Sequence, residues 1–221
     1  MEEGTIDTSL RLRQFIAANL PLAPVAGVPE IRLHQANPTS GLWRLADSDD
    51  QFGTPYWAYA WGGGIALARH VLDHPDLVAG RRILDLGSGS GLVGIAAAKS
   101  GAKQVSAADV DHYAITAMAL NAAANEAGLV PVLGDLTAGL PPAVDMVLIG
   151  DLFYAQDLAR RVAAFLDRCV LAGVMVLIGD PGRAFLPRSR LKLLAEYPGP
   201  DFGEGDRPGK PPNAVFSFSA G

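Results

Sequence analysis

The stretch Arg81-Arg-Ile-Leu-Asp-Leu-Gly-Ser-Gly-Ser-Gly-Leu-Val-Gly94 decides the fold of this 221-residue chain. Ile83 to Leu86 is an apolar run of strand character, Gly87, Gly89 and Gly91 break it, and an alanine-rich helical pattern begins at Leu92. A strand, a tight turn and a helix N-terminus in that order make one unit of an α/β sheet. The glycines stand where backbone must approach a ligand.

Two kinds of cofactor use such a turn. Gly89-Ser-Gly91-Leu-Val-Gly94 fits the dinucleotide pattern G-x-G-x-x-G, which alone is weak evidence. Asp85, two positions before the first glycine, decides between them. A carboxylate there repels a pyrophosphate, whereas S-adenosylmethionine brings a sulfonium and an ammonium and no phosphate. The run resembles motif I of the class I, seven-strand methyltransferases, D-x-G-x-G-x-G, at every fixed position.

Composition narrows the class further. The chain is long enough for one α/β domain with a short extension, and its 49% hydrophobic content lies in short runs, so a soluble globular protein is expected. The acidic start, Met1-Glu-Glu-Gly4, fits neither a secretory leader nor a transit peptide, and a cytoplasmic location is expected. Cys169 is the single cysteine, so an internal disulfide and a multi-cysteine zinc site are excluded. His34, His70, His74 and His112 show no metal-ligand spacing, and no metal is expected. A net charge of −5 without a dense Lys/Arg run gives no footprint for nucleic acid, and nothing approaches a membrane span.

Taken in order, residues 5–20 have helical spacing and Pro21, Pro24 and Pro29 end that pattern. Residues 30–35 and 41–45 read as a hairpin around Asn37-Pro-Thr-Ser-Gly41, so residues 1–50 form a helix and hairpin extension to a domain spanning 51–221. Tyr56, Trp57, Tyr59 and Trp61 crowd in front of Gly62-Gly-Gly64 and a helix over 65–72. Three glycines in a row allow a ligand close to the backbone, and Trp61 beside them is the candidate for an adenine or sulfonium contact. Trp57 and Tyr59 read as anchors for the extension.

A second strand over 104–109 ends in Asp109-Val110-Asp111. Asp109 is placed to accept the ribose hydroxyls of an adenosine, and Asp111 caps the next helix. Residues 129–134 form a third strand closing on Asp135, which either accepts an adenine amino group or caps the following turn. Residues 144–149, apolar but for Asp145, read as a strand buried on both faces, ending in Gly150-Asp-Leu-Phe-Tyr154. Its end delivers Asp151 to the ligand edge. A helix over 156–172, a strand over 174–178, a helix over 188–197, a loop over 198–212 and a final antiparallel edge strand over 214–219 complete the chain.

Pro55-Tyr-Trp-Ala-Tyr-Ala-Trp-Gly-Gly, Asp85-Leu-Gly-Ser-Gly-Ser-Gly, Gly150-Asp-Leu-Phe-Tyr and Gly179-Asp-Pro-Gly-Arg, in this order, are similar to the electron-transfer-flavoprotein β-subunit lysine methyltransferases. The likeness runs from about residue 50 onward. It implies a Rossmann-like, mostly parallel seven-stranded sheet with helices on both faces, S-adenosylmethionine as cofactor, a monomer, and transfer to a protein lysine. It also implies that Asp151 and Tyr154, in the D-x-x-Y element, line the acceptor channel with the aromatic segment. A lysine ammonium has no lone pair until it loses a proton. Asp151 would orient it, yet a carboxylate alone stabilises the charged form, so apolar neighbours such as Phe153 must oppose it. Arg183 binds an acid beside the target lysine or is structural. The chain has no Asn/Asp-Pro-Pro-Tyr/Phe tetrapeptide, which disfavours base methylation. Methylation of a small amine or nicotinamide-like acceptor, and non-catalytic binding of S-adenosylmethionine, are the alternatives.

Overall fold

Three short apolar runs, each too uniformly hydrophobic for a surface strand, lie side by side in the centre of one sheet. The computed structural model describes residues 2–47, 49–50, 52–199 and 212–219. Helix α1 (Glu2–Asn19) leads into strands β1 (Leu22–Val25) and β2 (Val28–His34), a one-turn helix α2 (Trp43–Ala46) and helix α3 (Gly62–Asp73). Next come β3 (Arg82–Leu86), α4 (Leu92–Lys99), β4 (Gln104–Asp109), α5 (His112–Ala124) and β5 (Val130–Leu133). Strand β6 (Met146–Gly150), α6 (Gln156–Leu171), β7 (Met175–Asp180), β8 (Leu191–Tyr197) and β9 (Asn213–Phe218) follow.

The strands order as β5-β4-β3-β6-β7-β9-β8, parallel except that β9 runs antiparallel to both of its neighbours. Side chains alternate across the sheet. Ile83, Met146 and Leu148 pack against α3 and α4, while Leu84, Val147 and Ile149 pack against Val162, Phe165 and Leu166 of α6. Helices therefore cover both faces, as the apolar strands require. No helix among the described residues is long and apolar enough to cross a membrane.

Three expectations change. The hairpin is formed by β1 and β2 through the two-residue turn Ala26-Gly27, Gly27 at φ +85°, and Pro24 is tolerated because this small sheet has only two strands. Residues 43–46 form α2 instead of a second strand, after a loop in which the Asn37 side chain accepts from the Thr39 N–H and the Thr39 and Ser40 hydroxyls. Residues 188–197 are a 3-10 turn and then β8, because pairing along β9 outweighs the helix preference of Leu, Lys, Ala and Glu. A register shift between Leu193 and Ala195 blurs the alternation that would have marked the strand. Strand β9 is thus internal and β8 holds the edge. Most of the loop expected over 198–212 lies outside the described residues.

Two buried asparagines bind the hairpin to the rest. Asn125 accepts the Arg32 N–H at 2.9 Å and donates to the Arg32 carbonyl at 2.6 Å, taking the place of a neighbouring strand. Asn121 accepts from the His34 N–H and donates to the Ser90 carbonyl, both at 2.8 Å, so the hairpin also braces the glycine turn.

Helix α3 crosses β6 and β7 so closely that it admits only backbone. A Cβ on Gly63 would strike the Gly179 carbonyl, one on Gly179 would strike the Gly63 carbonyl, and one on Gly150 would lie 3.0 Å from Gly64 Cα. Gly179→Ala forces the two apart and is expected to lower stability by about 1–3 kcal/mol. Thermal unfolding checks this, with a midpoint drop of roughly 2–4 °C per kcal/mol for a chain of this size.

Candidate functional site

The strand ends and the N-termini of α3 and α4 enclose a cavity of about 750 Å³. It lies at the carboxyl ends of β3, β4 and β6, where the order of the sheet reverses. Every sequence-derived candidate except Gly91 lines it: Trp61, Asp85, Gly87, Ser88, Gly89, Asp109, Val110, Asp135, Asp151 and Tyr154. Gly91 stands behind, at φ +85°, as the residue before α4, and a Cβ there would lie 3.0 Å from Met118 Cβ. Its part is to let the turn enter the helix.

The glycine turn is held from both sides. Gly87 and Ser88 donate their N–H groups to the Ala108 carbonyl at the end of β4, at 2.9 and 3.0 Å. The Gly89 N–H donates to Asp109 Oδ2 at 2.8 Å, and the Asp111 N–H reaches Asp109 Oδ1 at 3.0 Å. Gly87 and Gly89 have φ of +68° and +52°, which only glycine adopts cheaply.

Asp85 is almost fully buried and accepts from the Ser88 hydroxyl at 2.5 Å and the Gly94 N–H at 2.8 Å. Both bonds end on Oδ2, so Oδ1 keeps its lone pairs for a cation that enters the cavity. Burial pushes the Asp85 carboxyl up to about 6, against the two hydrogen bonds, which lower it. Burial also raises Asp109 and Asp111, where backbone N–H groups oppose it. Asp111 caps α5 by accepting the Tyr113 N–H. Asp135 accepts from the Thr137 hydroxyl and N–H, which hold it below the usual carboxylate range, and lies 3.8 Å from Arg161. It caps its turn and faces the cavity at once.

At the other end the chain reverses through Asp151, whose φ of +59° is costly for any residue but glycine. Its N–H donates to the Gly179 carbonyl, Oδ2 accepts the Gly64 N–H at 2.8 Å, and Oδ1 accepts from Arg183 at 2.8 Å. Arg183 is set by a turn in which buried Asp180 accepts the Gly182 and Arg183 N–H groups at 2.7 and 2.6 Å. Its guanidinium lies 5.5 Å from the centre of the Trp61 ring. Trp61 donates to the Tyr56 carbonyl, and Tyr56 in turn sits 5.4 Å from Tyr154. Tyr56 and Tyr154 are both nearly half exposed.

Several residues differ from the sequence reading. Gly63 is present for packing against Gly179 rather than for a ligand approach, whereas Gly64 lines the cavity and donates its N–H to Asp151. Phe153 is fully buried in the core on the α6 side with Ile149 and Ile178, so it does not oppose the charge of Asp151 from within the cavity. Arg183 takes that position. Nothing in the sequence separation of 32 residues pairs it with Asp151; the parallel register of β6 and β7, which sets Gly150 beside Gly179, does. Trp57 packs with Leu12 and Ile16 of α1 and stacks on Tyr113, as an anchor should, and it also touches the cavity.

The donor set fits S-adenosylmethionine. Asp85, Asp109, Asp111, Asp135 and Asp151 face the cavity against Arg161, Arg183 and the imidazole of His112, an excess of negative charge that suits a cationic ligand and opposes a pyrophosphate. The cradle formed by positive-φ glycines gives that ligand room against the backbone.

A family model described as ribosomal protein L11 methyltransferase matches residues 67–149. The electron transfer flavoprotein beta subunit lysine methyltransferase of Rattus norvegicus is 37% identical over 216 residues, covering 95% of this chain and 85% of its own. That of Homo sapiens is 41% identical over 175 residues, covering 78% of this chain and 67% of its own. In fold alone the chain is similar to a candidate RNA methyltransferase from Pyrococcus horikoshii, with a TM-score of 0.52 and 17% identity over 80% of this chain and 95% of that one. Likeness along nearly the whole chain, together with a cavity built for a cationic cofactor, establishes the assignment: the chain belongs to the electron transfer flavoprotein beta subunit lysine methyltransferase family and is an S-adenosylmethionine-dependent methyltransferase.

Proposed function

We propose that the chain methylates lysine ε-amines of a protein, and that its acceptor is the β subunit of electron transfer flavoprotein. The observation that carries the reading is Asp151, held in a strained conformation at the cavity end of β6 beside the aromatic lip of Tyr56, Trp61 and Tyr154. Strain of this kind persists where the surrounding structure over-determines it, and it marks sites where a side chain must point one way. A lip of part-exposed phenols suits a long, flexible side chain that reaches in from another protein.

When bound, S-adenosylmethionine would supply an electrophilic methyl carbon on a sulfonium, whose sulfur departs as a neutral thioether. Asp85 Oδ1 would hold the cofactor's ammonium. Asp109 would accept the ribose hydroxyls with its remaining lone pairs while it braces the turn with the others. Val110 and Asp135 would flank the adenine. Asp151 holds the lysine nitrogen by a hydrogen bond, Tyr154 closes the mouth around the stem, and the amine's proton leaves to water.

The purified protein, incubated with methyl-labelled S-adenosylmethionine and electron transfer flavoprotein, is expected to label lysine in the β subunit. Label confined to small molecules would overturn the protein reading. Asp151→Ala is expected to lose most of the activity while calorimetric binding of S-adenosylmethionine survives. Asp85→Ala and Gly89→Arg are expected to lose binding itself.

The cofactor cation favours ionised Asp85, whose carboxyl titrates near 6. Affinity is therefore expected to be full above that pH and to fall as pH drops through it, by up to about tenfold per unit. Calorimetry from pH 5 to 8 measures the slope, and Asp85→Asn should flatten it.

A further inference from the structure

A carboxylate at the acceptor end poses a difficulty. Alone, Asp151 would hold a lysine as its ammonium, which cannot attack a methyl group. The cavity places a permanent cation on that carboxylate instead. Arg183 donates to Asp151 Oδ1 at 2.8 Å, and the pair is largely withdrawn from water, with side-chain exposures of 10% for Asp151 and 22% for Arg183. Screening of their mutual charge is therefore weak. The guanidinium also lies 5.5 Å from the centre of the Trp61 ring, and Asp180 holds the backbone of its turn through the Gly182 and Arg183 N–H groups.

We propose that Arg183 neutralises Asp151 so that a lysine entering the cavity is held by a hydrogen bond and not as an ion pair, and is thereby released to the neutral, nucleophilic amine. The proposal rests on the lysine reading above. Arg183 acts through Asp151 and is a positioning residue. Asp151 keeps its orienting role because the Gly64 N–H on Oδ2 and Arg183 on Oδ1 fix the plane of a carboxylate that lines the cavity. The proton lost by the ammonium goes to water. The amine lone pair then forms the N–C bond as the C–S bond breaks and its electron pair stays on sulfur, and the methylated ammonium gives up its proton on release.

Other charges face the same space. Asp85, Asp109, Asp111, His112, Asp135 and Arg161 line the cavity with the phenols of Tyr56, Tyr59 and Tyr154. Asp85, Asp109 and Asp111 cluster at the ends of β3 and β4, and Asp135 lies 3.8 Å from Arg161. Removing Arg183 therefore deepens an excess of negative charge already present among the described residues and strips Asp151 of a cationic partner at 2.8 Å, so the bound ammonium is stabilised further.

The test is the pH profile of methylation of the electron transfer flavoprotein β subunit by wild type, Arg183→Gln and Arg183→Lys. The rising limb of kcat reports the lysine in the complex. In Arg183→Gln it is expected to move up by about one pH unit, with kcat at pH 7.5 about tenfold lower, most of the loss recovered at high pH, and KM not raised. Arg183→Lys keeps the charge and should keep the wild-type limb. Binding of the acceptor in the presence of S-adenosylhomocysteine gives a second readout. At the pH midway between the two limbs, wild type should release about three-quarters of a proton per lysine bound, by calorimetry in buffers of different ionisation enthalpy, and Arg183→Gln about one-quarter. Unchanged S-adenosylhomocysteine affinity checks that the variants are folded, and Arg183→Met, which keeps the apolar stem, should behave as Arg183→Gln. An unshifted limb with kcat and KM altered alike at every pH would overturn the proposal and leave lysine methylation standing. Absence of lysine methylation by the wild type would overturn both.

Discussion

The site depends on how closely α3 approaches the ends of β6 and β7. Gly63 and Gly179 touch backbone to backbone, and Gly150 meets Gly64. A Cβ on Gly63 or Gly179 would strike the other's carbonyl and push the helix away from the sheet, and one on Gly150 would press on Gly64 Cα at 3.0 Å. With the helix seated, the Gly64 N–H reaches Asp151 Oδ2, and Trp61, the residue before the helix, stands at the mouth beside Arg183. The acceptor half of the cavity is thus a consequence of a packing constraint. The N-terminus of α3 adds a partial positive charge where Asp151 needs one.

The cofactor half is built differently. There the carboxylates of Asp85 and Asp109 are spent on backbone and hydroxyl donors that hold the glycine turn open. Burying two carboxyl groups this near to each other raises both, and the Asp109 charge is one of the causes that lift Asp85. On the proposed reading, a cationic ligand offsets that cost on binding. Asn121 ties this turn to β2, so residues that precede the sheet in sequence help to shape the cofactor site.

The sequence carried the central sheet clearly, since residues 83–86, 104–109 and 144–149 have strand character and bear Asp85, Asp109 and Asp151 at or just beyond their carboxyl ends. It was less legible wherever partner pairing decides. Residues 191–197 have helix-favouring composition, and only β9 alongside makes them a strand. Gly62-Gly-Gly64 signals close approach, but a glycine run does not say whether the approaching group is a ligand or another glycine. Phe153 and Asp151 are two residues apart, yet the reversal at Asp151 sends one into the core and the other to the cavity. Alternation along a strand gives no warning of such a reversal.

The two ends of the cavity place opposite demands on the same kind of side chain. Asp85 must be ionised to hold a cation that stays a cation, and its free Oδ1 and lack of a basic partner among the residues it bonds serve that end. On the proposed reading, Asp151 holds a group that arrives charged and reacts uncharged, so a bare carboxylate would bind well and catalyse badly. Pairing it with Arg183 changes what it offers, from a net charge to an oriented acceptor. A buried pair gains little stability over an apolar substitute. On that proposal its worth lies in the charge state it imposes on the third group beside it, which would be a reason for a methyltransferase to place an arginine beside the carboxylate that receives its substrate.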